Sequence, residues 1–338
     1  MVNKIHFGKR MSVLRRKAGL SQTDLAEKLG VTSQAVSKWE CGNAVPDIDI
    51  LLELSHLYKV TINEMLEDVD LLCELTGKET GRSGIAYFVP EQERNYNIEW
   101  ANEIQSGKWI KRNWESSRAD NAYMDGVGKQ IASCDGIILE IGAGPGGGYM
   151  PYILKANPDA TVIISDLSPT VVREWKLFLD KSLDSPNIYY AAFDFCNMPF
   201  KDNSIDIISD GGGIGNCEGV KAKALKEAFR VLKPGGKLIT STGFVNKETL
   251  AALPEEAQRV LTQKRPDVFE DLYEDTVLAG FSKIDSVISG CWYTDDDEST
   301  IADLARSLGV NLKFTSYTRY CTKEQLSLIH ISEPTRPY

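Results

Sequence analysis

Histidine is almost absent from this chain of 338 residues: only His6, His56 and His330 occur. No apolar run approaches the roughly 18 residues of a membrane span, and the opening "MVNKIHFGKR" lacks the apolar core of a signal peptide. A soluble, cytoplasmic protein with no membrane partner is expected. Disulfide and metal frameworks are missing too. The cysteines, Cys41, Cys73, Cys134, Cys196, Cys217, Cys291 and Cys321, form no C-x-x-C pair and no metal-ligand spacing, which predicts free thiols and no metal. The final stretch, "LSLIHISEPTRPY" (326–338), continues no preceding pattern and resembles translated sequencing-adapter read-through. It is expected to be a non-native tail. With His330 set aside, residues 95–325 contain no histidine, which excludes histidine bases and histidine metal ligands from that region's chemistry.

What is present is ordinary globular material, 42% apolar and 25% charged, long enough for two domains. The net charge of -10 is unevenly spread. Residues 1–66 carry nine Lys/Arg against seven Asp/Glu, leaving 29 against 41 for the remainder, so the two parts should meet different partners.

The N-terminal part reads as short capped helices. Phe7, Met11, Leu14 and Ala18 share one helical face ending at Gly19, and Ser21 with Asp24 forms a capping box over "SQTDLAEKLG". Thr32 opens "TSQAVSKWECG" after a very short turn, and Thr61 with Glu64 opens a last short helix. Two short helices across a tight turn is the helix-turn-helix plan. On "LSQTDLAEKLGVTSQAVSKWECGNAVPDIDILLEL", residues 5–66 of an expected N-terminal domain over 1–66 resemble the helix-turn-helix domain of the phage-repressor (Cro-like) family. The resemblance implies double-stranded DNA as partner. Gln22 would meet a phosphate, and Ser33, Gln34, Ser37 and Lys38 would face the major groove, where Gln pairs with adenine and Lys reaches phosphate or guanine. Trp39 reads as core, and Cys41 replaces the polar residue common there. With only about +2 of charge, the domain is expected to act as a homodimer on two half-sites.

Residues 67–94 read as a flexible linker, acidic, then Gly- and Ser-containing, with no sustained period. Helical periodicity follows with Trp100, Trp109 and Trp114, read as packing groups or a lid. From Ile137 strands and helices alternate, with strand-like runs at "GIILEI", "TVIISD", "IYYAAF", "SIDIISD", "KLITSTGF", "KIDSVIS" and "KFTSYTRY". This predicts a Rossmann-like α/β domain with a seven-stranded parallel sheet over 95–325, ligands lying at the strands' carboxyl ends.

The loop "LEIGAGPGGG" (139–148) satisfies both a dinucleotide pattern and the pattern that seats S-adenosylmethionine. A dinucleotide enzyme has no use for Glu140 two residues before Gly142, for Asp194 in "AAFDFCNMPF", or for Pro234-Gly235-Gly236. With Asp166 ending the second run, residues 95–322 resemble the class I S-adenosylmethionine-dependent methyltransferases. The resemblance implies S-adenosylmethionine as cofactor. Gly142, Gly144 and Gly146 would approach its methionine and ribose part, and Glu140 would lie near its ammonium group. Asp166 would accept both ribose hydroxyls, Leu167 would pack on adenine, and Asp194 would accept from the adenine amino group with Phe195 beside it.

The acceptor end, "SDGGGIGNCEG", has neither the [DNS]-P-P-[YFW] motif of amino-methylating DNA enzymes nor the Pro-Cys of cytosine-C5 enzymes, so a small-molecule acceptor is expected. No catalytic residue is assigned; Asp210 and Tyr123 are conceivable bases, and Cys196, Cys217 and Cys291 read as core thiols before metalloid ligands. Two functions remain. One is a methyltransferase on a small molecule carrying a DNA-binding regulatory domain; the other is a transcription regulator whose methyltransferase-like domain senses cofactor or ligand without turnover.

Overall fold

The computed structural model describes residues 4–66, 71–78, 84–89, 108–183, 187–217, 219–296 and 300–324; the tail at 326–338, Trp100 and the linker residues 67–70, 79–83 and 90–94 lie outside them. The chain divides into two compact units, residues 1–135 with 144–193, and residues 136–143 with 194–338.

The first unit opens with five helices: α1 (Lys4–Lys17), α2 (Gln22–Lys28), α3 (Ser33–Glu40), α4 (Ile48–Tyr58) and α5 (Ile62–Leu66). Ser21 and Asp24 form the expected capping box, Thr32 caps α3 by accepting from Ala35 N–H, and Asp47 caps α4. Each cap satisfies an orphan amide of a helix too short to stand alone. The helices close over Phe7, Met11, Leu25, Val36, Leu54, Met65 and Trp39, so Trp39 is core as its spacing indicated. Gly8 lets α1 cross α3 closely: a Cβ there would sit 2.4 Å from the Trp39 carbonyl oxygen and 2.6 Å from that of Glu40. Gly8→Ala is therefore expected to destabilise this domain by about 1–3 kcal/mol, as overpacking does. An unchanged melting midpoint would contradict the crossing.

The segment read as a featureless linker contains α6 (Leu71–Thr76), with Leu72 and Leu75 buried, and β1 (Ala86–Tyr87), which pairs in parallel with β4 (Ile188–Ala192). Two residues are too few for periodicity to reveal a strand, and pairing to a distant partner creates it. β4 also pairs in parallel with β3 (Thr161–Asp166). Around these strands lie α7 (Lys108–Ser117), α8 (Ala122–Ala132), α9 (Met150–Ala156) and α10 (Pro169–Ser182). Arg16 on α1 makes a two-pronged pair with Asp159, in the turn between α9 and β3, at 2.6 and 3.0 Å. Half-exposed as it is, such a pair contributes at most about 1 kcal/mol.

The second unit contains β2 (Ile137–Ile141), β5 (Ile205–Asp210) and β6 (Leu232–Phe244), with β2 and β6 each pairing in parallel with β5. β8 (Lys313–Thr322) then pairs antiparallel with both β6 and β7 (Lys283–Tyr293), so the chain order is reversed at this edge. Helices α11 (Lys221–Val231), α12 (Lys247–Ala251), α13 (Glu255–Lys264), α14 (Tyr273–Ala279) and α15 (Thr300–Ser307) complete it.

The seven apolar runs of the sequence are all strands. Two expectations need correction. The described residues contain eight strands because of β1, and β8, inserted between β6 and β7, runs antiparallel to both. Pro234-Gly235-Gly236 lies inside β6 as an irregularity, where the register shifts between Ile205 and Ile207, and a Cβ on Gly236 would sit 2.9 Å from Asp206 O.

Candidate functional site

In the first unit the site begins where β3 ends. Asp166 accepts the Gly144 N–H on Oδ2 and the Ser168 N–H on Oδ1, both at 2.8 Å. One carboxylate thus ties the glycine loop to the start of α10, and each oxygen keeps a lone pair for a ligand hydroxyl. Burial holds the Asp166 carboxyl above the usual carboxylate range, against the pull of its two amide donors. Leu167 follows it in the β3–α10 turn and is partly exposed.

The loop has two further anchors that the sequence did not reveal. Trp175 Nε1–H donates to Gly144 O at 2.7 Å, and Asn113 Nδ2–H donates to Pro145 O at 2.9 Å. Trp175 is fully buried and packs edge-on with Trp114 and Phe178, so Trp114 is a packing group. Its only sequence signal was an apolar position on an amphipathic helix. Gly147 adopts φ +78°, and a Cβ there would lie 2.8 Å from Trp175 Cζ2, so this position, rather than Gly146, is the sterically closed one. A Cβ on Gly146 would meet nothing within 4 Å.

In the second unit Glu140 is fully buried on β2 and accepts from Ser209 Oγ at 2.5 Å, on the neighbouring β5. Gly142 backs onto Gly213, with a Cβ 3.3 Å from its Cα and 3.8 Å from Phe195 Cε1, so Gly142 and Phe195 are brought together. Asp194 caps a short 3-10 turn (Phe195–Asn197) by accepting from Cys196 N–H at 2.8 Å.

Asp210 is fully enclosed. Its Oδ1 accepts from Gly213 N–H at 2.6 Å and Gly212 N–H at 3.2 Å, and Thr240 Oγ1 donates to Oδ2 at 2.6 Å. The three glycines after β5 are therefore a turn wrapped on a carboxylate. Burial pushes the Asp210 carboxyl up to about 6, despite these donors. Acting as a base would require releasing the turn. Tyr123, the other conceivable base, has a buried hydroxyl with no hydrogen-bond partner among the described residues. Cys196 is buried and its thiol is pushed up to about 11 by desolvation, whereas Cys291 is exposed on β7. Among the described residues no group of three His, Cys, Asp or Glu is placed to hold a metal ion.

In the N-terminal domain Ser33, Gln34 and Lys38 are exposed on α3, with Ser37 half-buried. Gln22 is engaged internally: its Nε2–H donates to Glu40 at 2.7 Å, and Glu40 also receives Arg15 in two bonds at 2.6 and 3.0 Å.

Residues 139–240 match the family described as a methyltransferase domain, and residues 13–65 match the helix-turn-helix family. The chain joins a helix-turn-helix domain to a methyltransferase domain. The ubiquinone/menaquinone biosynthesis C-methyltransferase UbiE of Rickettsia bellii (strain OSU 85-389) is 33% identical over 128 residues, 36% of this chain and 50% of the relative. The chain thus spans about half the length of such curated relatives. The HTH-type transcriptional activator BcrR of Enterococcus faecalis is 37% identical over 68 residues, 20% of this chain and 33% of the relative. Among solved structures, a Haemonchus contortus phosphoethanolamine N-methyltransferase 2 in complex with S-adenosyl-L-methionine has a TM-score of 0.45 at 17% identity, covering 69% of this chain and 60% of that one. Among the described residues no helix is long and apolar enough to cross a membrane.

Proposed function

We propose that the methyltransferase domain binds S-adenosylmethionine and transfers its methyl group to a small molecule, while the helix-turn-helix domain binds double-stranded DNA as a homodimer in the cytoplasm. The observation that carries this reading is Asp166. A strand-end carboxylate bonded to the amide of Gly144, whose φ of +52° is one that glycine favours, inside the matched methyltransferase segment, is a device for holding a ribose beside the loop backbone. Glu140, Gly142, Gly144, Gly146, Leu167, Asp194 and Phe195 are proposed to complete the cofactor's surroundings. The sulfonium is already a reactive donor, so alignment and exclusion of water supply much of the rate, and no dedicated base is required. Calorimetry with S-adenosylmethionine, followed by labelled-methyl transfer to a panel of small acceptors, tests it. Binding without transfer to any acceptor would favour a ligand-sensing regulator.

Ser33, Gln34, Ser37 and Lys38 are proposed to read the major groove. Gln22 would reach phosphate only by sharing or leaving its bond to Glu40. Full-length protein is expected to protect two half-sites about one helical turn apart in its own upstream region. Gln34→Ala is expected to relax sequence preference at one base pair by about 1–3 kcal/mol without altering cofactor affinity. Protection of a single half-site, or of random DNA equally, would sink the dimeric regulator.

A further inference from the structure

Arg319 lies near the middle of β8 with its side chain only 3% exposed. One guanidinium nitrogen, Nη2, meets Asp271; Nε and Nη1 have no hydrogen-bond partner among the described residues. A buried cation with two idle donor groups is costly, so these donors call for a partner that would complete them. The surroundings indicate which ligand. Asp210 pairs in register with Thr240, Thr240 with Arg319, and Arg319 with Ser286, so these side chains share one face of the strands, in one row. Arg319 is thus two strands from Asp210, roughly 10 Å along the row, near the carboxyl ends of β5 and β6, where open α/β sheets receive ligands.

Beside the cation is an aromatic shelf. The Arg319 guanidinium lies 5.3 Å from the Tyr317 ring centroid, and Tyr317 stacks on Phe244 at 5.5 Å with planes 20° apart. Both rings are half-buried. A planar guanidinium with free N–H groups matches a carboxylate, and a flat half-covered aromatic pair matches a ring attached to it. We propose that Arg319, Tyr317 and Phe244 form a recognition site for an aromatic carboxylate, and that this is the acceptor class of the methyl transfer proposed above, on which this assignment of role rests. Asp271 pairs with Arg319 where the ligand carboxylate would bind. It gives Arg319 a single bond, its Oδ1 also accepts from Tyr273 N–H at 3.1 Å, and its side chain is 38% exposed, so it can turn to solvent when a ligand enters.

The test uses the full-length protein and two probes, benzoate and its neutral counterpart benzamide, titrated calorimetrically without cofactor; S-adenosylhomocysteine is titrated separately. Benzoate is expected to bind at least tenfold more tightly than benzamide, the usual worth of hydrogen bonds to a charged group. Asp271→Asn, which removes the competing charge, is expected to tighten benzoate several-fold. Arg319→Gln should abolish benzoate binding and leave S-adenosylhomocysteine affinity unchanged. Arg319→Lys, which keeps the buried charge should the Gln variant fail to fold, should retain only weak binding because it lacks the planar fork. Equal affinity for benzoate and benzamide in both wild type and Asp271→Asn, or benzoate binding that survives loss of Arg319, overturns the site. Arg319-dependent benzoate binding in a protein that ignores S-adenosylhomocysteine would uphold the site and remove the methyl-transfer role.

Discussion

Asp166→Ala is expected to weaken S-adenosylhomocysteine binding by roughly tenfold to hundredfold, the consequence of losing about 1.5–3 kcal/mol of hydrogen bonding to a charged group. The same carboxylate also holds Gly144 N–H and Ser168 N–H, so its loss frees the glycine loop as well as removing the proposed ribose contact. Asp166→Asn separates the two effects. Its single acceptor oxygen can keep one amide bond but cannot hold both amides and both hydroxyls, so its affinity should fall between wild type and Ala. Burial raises the Asp166 carboxyl's affinity for protons, so cofactor binding should also weaken on acidification, as the acceptor becomes a neutral acid. Calorimetry across pH would show this; wild-type affinity in Asp166→Ala would remove the assignment of the cofactor site.

The second large effect concerns stability. Asp210 titrates near 6 in the folded protein, above its ordinary 3.8, because burial disfavours the charge. A group whose folded value is raised contributes stability that is fully present below the unfolded value and lost as pH rises through the folded one. Between pH 4 and pH 7 the native protein should therefore lose on the order of 3 kcal/mol through this group. Asp210→Asn should abolish that loss while fitting the same cage. Its Oδ1 can accept from Gly212 and Gly213, and its amide can donate to Thr240 once the hydroxyl turns. Comparing denaturant midpoints of the two proteins at pH 4.5, 5.5 and 7 isolates the contribution, since other groups cancel. A difference independent of pH would show that Asp210 is not the buried titrating acid described above.

The sequence by itself determined the capped helices of residues 4–66, the α/β character of the rest, and the acids and glycines that mark a methyltransferase. These are local signals: a cap needs three residues, a strand five, and a glycine loop follows its strand directly. Tertiary structure alone decided that Ala86–Tyr87 is a strand, because its hydrogen bonds lie with Ala191 and Ala192, about a hundred residues away. It also decided that Trp175 and Asn113 anchor the loop, that Gln22 is held by Glu40, and that Asp210 is a turn's core rather than a free base. Arg319 shows the reason most plainly. In the sequence it is one arginine among alternating polar residues of "KFTSYTRY", and only the reversed insertion of β8 beside β6 buries it in the row of Thr240 and Asp210. Periodicity reports which face a residue takes; which partner faces it depends on contacts made across the chain, and these leave no local mark.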